Sequence, residues 1–204
     1  RAPRRRLHGN SVLIPQGEGG EQGDPLMPAL FSLGQHRALE AIHARLRPNE
    51  LLFAYLDDLY VVCTPERVQE VYQAMREELW RHARIQINVG KTKIWNQAGA
   101  KPAGSDEIAP RAWRGAGSGP TQEQGLKALG TPLGHPDYVL AELRKLAAEQ
   151  HTLLGRLQTL QDLQAAWLLL LFCANPRATY FLRVLRPGLT ADYAATHDAA
   201  LWDC

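Results

Sequence analysis

Leu51-Leu52-Phe53-Ala54-Tyr55-Leu56-Asp57-Asp58-Leu59-Tyr60-Val61-Val62 decides the reading of this chain. Two short apolar runs flank an acidic pair, the pattern of a β-hairpin with its charges in the turn. Neighbouring residues on a regular strand point to opposite faces, so adjacent carboxylates converge only where the strand breaks, as at a hairpin tip. The flanks are almost continuously apolar, which predicts strands covered on both faces. Two carboxylates at the end of a buried hairpin repel each other unless a cation sits between them. Hard divalent ions suit that place, because carboxylates and phosphates share them. Taken alone, the pair also reads as an ordinary polar turn, since Asp is a common turn residue.

Upstream, Gly17, Gly19, Gly20 and Gly23 crowd a short stretch before Asp24-Pro25. Asp24 reads as a helix N-cap and Pro25 as the first helical residue, where a missing N–H costs nothing. The helix is predicted to run to about Leu46, with Leu26, Leu30, Phe31, Leu33, Ala38, Ile42 and Leu46 on a broad apolar face. Glycine lets a backbone approach another molecule closely, and a helix N-terminus favours negative charge, so a phosphate or flat substrate suits this corner. The plainer reading is a capped helix after a flexible loop.

Downstream, Thr64-Pro65 starts a second helix with Val68, Val71, Tyr72, Met75 and Leu79 on one face. Ile85–Ile87 and Thr92–Trp95 read as short strands. The stretch 97–120, with five Gly and three Pro, reads as a long loop of low order. Leu126–Leu133 is expected to return to the sheet. Val139, Leu143, Leu146, Leu153, Leu157 and Leu160 then follow the three-four spacing of a packed helix. Shorter helices are expected over 162–173 and 177–185, separated by Asn175-Pro176.

A chain of 204 residues with 45% hydrophobic composition can bury a core and is not disordered overall. The net charge of +2 does not by itself demand a nucleic-acid partner. Charge is local: Arg1, Arg4, Arg5 and Arg6 crowd the start, and Leu163–Ala191 holds Arg177, Arg183 and Arg186 without an acidic residue. Such runs are ordinarily solvated faces. Cys63, Cys173 and Cys204 are too scattered for a disulfide framework or zinc site and predict a reducing compartment. The apolar run Ala165–Ala174 is shorter than the ~18 residues that span a bilayer, so no membrane partner is expected. No signal-peptide pattern is visible. An intracellular location, nuclear or cytoplasmic and not secreted, follows as the expectation. The first residue is Arg, so a truncated or processed start is expected too.

Gln22-Gly23-Asp24-Pro25-Leu26 followed by a helix, then Tyr55-Leu56-Asp57-Asp58, resembles the reverse transcriptases in order and separation. The first looks like the family's template- and nucleotide-positioning motif, the second like its metal-binding hairpin. Asn88-Val89-Gly90-Lys91-Thr92-Lys93 is similar to the segment after the palm helix of retrotransposon-type members. Leu129-Gly130-Thr131-Pro132-Leu133-Gly134 looks like the turn that grips the primer end. The wording Gln-Gly-Asp-Pro-Leu is closest to non-LTR retrotransposons and to bacterial and organellar relatives of the group II intron type. Two minor departures are Met27, where a small residue is common, and Ala128, where an aromatic often precedes Leu-Gly. The motifs span roughly residues 17–134, and the helical remainder matches by position only.

The resemblance implies an α+β fold, with a partial palm over 1–134, its antiparallel sheet carrying helices on one face, and a helical thumb-like region over 135–204. It implies an RNA-directed DNA polymerase of retroelement origin, using two Mg²⁺ or Mn²⁺ ions in the complete enzyme. Its partners would be an RNA or DNA template with primer, and deoxynucleoside triphosphates. Asp57 would be the main metal ligand of the hairpin and Asp58 a supporting carboxylate. Gln22, Gly23, Asp24, Pro25 and Tyr55 would lie against the template and nucleotide. Lys91 would place a positive charge or a proton near the leaving pyrophosphate, with Lys93 as its rival. Leu129, Gly130, Leu133 and Gly134 would form the primer grip. The family's third carboxylate lies on an earlier strand. The acids before Gln22 are only Glu18 and Glu21, both in the glycine-rich loop, so the upstream palm and the fingers are expected on a longer chain and this chain is expected to be inactive alone. The alternatives are an inactive relic that holds nucleic acid through its thumb arginines, and a purely structural α+β domain.

Overall fold

The computed structural model describes residues 23–204. The basic start and most of the glycine-rich loop, including Glu18, Glu21 and Gln22, therefore lie outside the described residues. The first helix, α1 (Met27–Ala44), opens two residues later than its sequence suggests. Leu26, not Asp24, occupies the N-cap, and Pro28 rather than Pro25 sits in the first turn. The Asp24 carboxylate is used one step earlier: it accepts the Leu26 N–H at 2.9 Å and forms a local turn before the helix. Gln35, Ala38 and Ile42 make the buried stripe of α1, whereas Leu26, Leu30 and Leu33 stay exposed. The apolar face is thus covered only over its C-terminal half.

After Glu50 the chain forms β1 (Leu51–Tyr55), a two-residue turn, and β2 (Asp58–Val62), which pair with each other. The expected cover on both faces is not found. Leu51, Phe53 and Tyr55, which alternate along β1, are at least half exposed, and so is Val62. A continuous apolar run hides the two-residue alternation that separates the faces of a strand.

A 3₁₀ turn, Pro65–Arg67, leads into α2 (Val68–Ala83), whose buried residues include Val71, Tyr72, Ala74 and Leu79. The helix ends because Arg84 turns left-handed at φ 55°, and the Ile85 N–H reaches back to the Leu79 carbonyl. Ile85–Ile87 forms no strand, and Thr92–Trp95 contributes a single bridge, Ile94 to Trp113. Strand-like composition cannot supply a partner: Ile85–Ile87 pairs with no strand among the described residues, and Ile94 alone bonds to the segment 112–114. Stretch 97–120 is better packed than its glycines suggest. It contains a short helix, α3 (Ser105–Ile108), and Ile108, Ala109, Ala112 and Trp113 are buried.

β3 (Gly125–Ala128) and β4 (Thr131–Gly134) then form a second antiparallel pair, from Gly125 opposite Gly134 to Ala128 opposite Thr131. This hairpin closes on itself and does not join β1–β2. Its loop residues Leu129 and Gly130 have φ 48° and 84°, both positive, as in a type I′ turn. Leu is a poor choice there, since left-handed φ costs an ordinary residue roughly 1 kcal/mol. Leu129→Asn creates the favoured Asn-Gly pair at a half-exposed position and should raise the melting temperature by the equivalent of about 1 kcal/mol. Thermal melts of the two chains check this.

The remainder is helical: α4 (Pro136–Leu157), α5 (Leu163–Leu169), α6 (Thr179–Val184) and α7 (Pro187–Trp202). A π-helical turn, Leu170–Ala174, and a 3₁₀ turn, Asn175–Ala178, join α5 to α6, so Pro176 does not divide two separate helices. The resulting segment, Leu163–Val184, is by length and composition apolar enough to cross a membrane, unlike Ala165–Ala174 taken alone. Val139 and Leu143 of α4 pack with Ala178 and Tyr193, and Leu154 and Leu157 with Ala174. By contacts the described residues fall into two units: 23–61 with 74–86, and 62–73 with 87–204. Helices with two small antiparallel sheets make the fold α+β.

Candidate active site

Asp57 and Asp58 sit at the tip of β1–β2, Asp57 in the turn and Asp58 as the first residue of β2. Both are exposed. Leu56, the first turn residue, has φ 54° while Asp57 stays negative, the φ pattern of a type II′ turn. Glycine is the usual residue there. What holds leucine in place is a residue the sequence reading passed over. Gln35 of α1 is 3% exposed, and its Nε2 donates to the Leu56 carbonyl at 2.9 Å. The signal was its place in the Gln35-Ala38-Ile42 stripe, where a polar residue on a buried face demands a partner. The Tyr60 hydroxyl reaches Asp58 Oδ2 at 3.3 Å.

In the same unit, Arg45 at the end of α1 pairs with Glu77 and Glu78 of α2, at 2.8 and 3.0 Å. The hydrogen bond from Arg45 holds the exposed Glu77 carboxyl below its ordinary range. Tyr55 is exposed beside the acidic turn. Gly23, at φ 95°, and Asp24-Pro25 form the exposed turn before α1.

The other expected site residues belong to the second unit. Lys91 ends a 3₁₀ turn, Val89–Lys91, whose N-cap Asn88 accepts the Lys91 N–H at 3.2 Å. Its rival Lys93 is pushed below the ordinary lysine range by burial and by the charge of Arg114. Leu129 and Gly130 form the tip of β3–β4, and Leu133 and Gly134 lie on its second strand. The base of this hairpin presses on α4. A Cβ on Gly125 would come within 2.2 Å of the Tyr138 ring, and one on Gly134 within 2.5 Å of the Gln124 carbonyl, so both positions need glycine. Lys127 pairs with Glu142 at 2.5 Å, and Lys145 with the same carboxylate at 2.6 Å.

The family model for reverse transcriptase (RNA-dependent DNA polymerase) matches residues 5–133, more than half of the chain. The chain belongs to the reverse transcriptase family. No curated protein and no solved structure matches it significantly. The family match takes in the acidic turn, Lys91 and the β3–β4 tip of this reverse transcriptase chain. Among its described residues no group of three His, Cys, Asp or Glu is placed to hold a metal ion. Asp57 and Asp58 offer hard carboxylate oxygens, the donor chemistry of Mg²⁺ or Mn²⁺, but only two residues' worth.

Burial works to raise the Glu142 carboxyl, but its bonds to Lys127 and Lys145 outweigh that and hold it below the ordinary value of 4.5. A depressed carboxyl contributes stability above its unfolded value, and that stability is lost as pH falls through the lower folded value. Acid should therefore loosen β3–β4 from α4 below about pH 4.5, and Glu142→Gln should flatten that part of the pH–stability curve. Thermal melts across the acid range test this, and equal acid sensitivity of the two chains would contradict it.

Proposed function

We propose that these residues are the metal-binding palm hairpin, primer grip and thumb of an RNA-directed DNA polymerase of retroelement origin, non-LTR or group II intron type. The observation that carries the reading is the carboxylate turn of Asp57-Asp58, held by a buried donor on the helix that follows Gln22-Gly23-Asp24-Pro25. Fixed geometry is what metal-assisted transfer needs. Asp57 would hold the metal ions with Asp58 in support, and a further carboxylate would come from elsewhere in the complete enzyme. Bound Mg²⁺ or Mn²⁺ would activate the primer 3′-hydroxyl and neutralise the leaving pyrophosphate. Gly23, Asp24, Pro25, Gln22 and Tyr55 would face the template and nucleotide, and Lys91 the pyrophosphate. Residues 1–134 would serve as palm and 135–204 as thumb, inside the cell and in contact with template, primer and deoxynucleoside triphosphates.

Arg177, Arg183 and Arg186 are exposed on the helical region and would meet phosphates. Three such contacts predict a log–log salt slope of about −2.7 for duplex binding. The test is affinity for a DNA-primed RNA template across salt concentrations, together with Mn²⁺-induced broadening of the Asp57 and Asp58 amide signals. Binding that ignores salt, or a turn that ignores Mn²⁺, would refute the reading. Salt-sensitive binding without any response at the turn would instead favour the inactive nucleic-acid-binding relic.

A further inference from the structure

The tip of β3–β4 is held from a distance. The Tyr180 hydroxyl, on α6, donates to the Leu129 carbonyl at 2.7 Å. Thr131 Oγ1 lies 2.7 Å from the same tyrosine oxygen. The tyrosine hydrogen is already committed to Leu129, so the Thr131 hydroxyl is the donor of the second bond. One oxygen therefore grips both sides of the turn, Leu129 before Gly130 and Thr131 after it.

Tyr180 is itself well rooted. Its ring meets Phe181 edge-on at 5.2 Å, and Phe181 meets the buried Tyr193 at 6.1 Å. The base of the hairpin is fixed separately, by Tyr138 against the paired glycines and by Lys127 on Glu142. The Tyr180 hydroxyl is thus not needed to attach the hairpin. It governs the attitude of the tip, where Leu129 occupies a left-handed conformation that leucine does not favour.

We propose that Tyr180 is a positioning residue that sets the attitude of the Leu129-Gly130 turn toward a primer 3′ end. The proposal rests on the reading of that turn as the primer grip. It adds a residue outside every motif of the chain, and outside the matched residues 5–133.

The experiment places 2-aminopurine at the 3′ terminus of a DNA primer on an RNA template and follows its fluorescence on adding the 204-residue chain. Wild type should change the signal. Tyr180→Phe, which removes only the oxygen, should lose that change while it still melts cooperatively, at a slightly lower temperature, and keeps its overall affinity. Amide exchange at Gly130 and Thr131 should rise about fivefold, the factor one hydrogen bond is worth. An unchanged 3′-end signal in Tyr180→Phe overturns the proposal and leaves the primer-grip reading standing. No signal with wild type refutes the primer-grip reading, and the proposal with it. If Tyr180→Phe fails to fold, Thr131→Val cuts the other arm of the grip. Loss of the signal there supports the proposal, and full retention overturns it.

Discussion

Asp57→Ala should lower primer extension about a thousandfold in a chain that carries these residues together with a further carboxylate-bearing palm strand. A metal ion that stabilises the developing charge contributes several kcal/mol to the transition state, and each ~1.4 kcal/mol is tenfold in rate. The 204-residue chain alone, with Mg²⁺ or Mn²⁺, should give no extension, because among its described residues no third ligand is placed with Asp57-Asp58 to hold a metal ion. Metal-assisted transfer on two carboxylates alone lacks the fixed geometry that catalysis requires. Primer extension on an RNA template, with and without the substitution, decides both points. Synthesis by the isolated chain that disappears in Asp57→Ala would show that the missing ligand is within reach, with Glu18 and Glu21 the first positions to test.

Gln35→Met should destabilise the first unit by roughly 1–3 kcal/mol, the cost of leaving a part-buried carbonyl without its donor. Methionine keeps the length and volume of the side chain, so the loss falls on the hydrogen bond to Leu56. The left-handed Leu56 should then relax, and Asp57 should move with it. Denaturant melts measure the stability, and amide exchange at Asp57 and Asp58 reports the turn. Unchanged exchange in a chain that still folds would show that Gln35 fills space and does not position the acids.

Some elements could be read directly from the residues. Apolar runs on both sides of an acidic pair force a hairpin whatever the surroundings, and β1–β2 is found there. The three-four spacing from Val139 to Leu157 leaves little choice but a helix, and α4 buries Val139, Leu143, Leu154 and Leu157. The failures share a cause. Ile85–Ile87 and Thr92–Trp95 have the composition of strands, but a strand is a relation between two segments, and only Ile94 finds a partner. The exposed side of β1 was hidden for the same reason: composition names apolar residues, whereas burial depends on what lies opposite. The targets of Gln35 and Tyr180 were illegible because each acts on a turn 21 or 51 residues away: the buried stripe says that Gln35 needs a partner, not which one. No local pattern in either helix announces such a bond.

Those two bonds have a common form, and it bears on how such turns are inherited. Leu56 and Leu129 both stand where glycine or asparagine is usual, and each gives its carbonyl to a side chain of a distant helix. The cost of the backbone conformation and the gain of the hydrogen bond are similar, about 1 kcal/mol each. The shape of each tip is therefore written jointly at two positions. Drift at one should leave a trace at the other: lineages that lose a donor at 35 or 180 should carry glycine or asparagine at 56 or 129. Covariation between turn and helix, rather than a fixed turn motif, is the mark to seek among related genes.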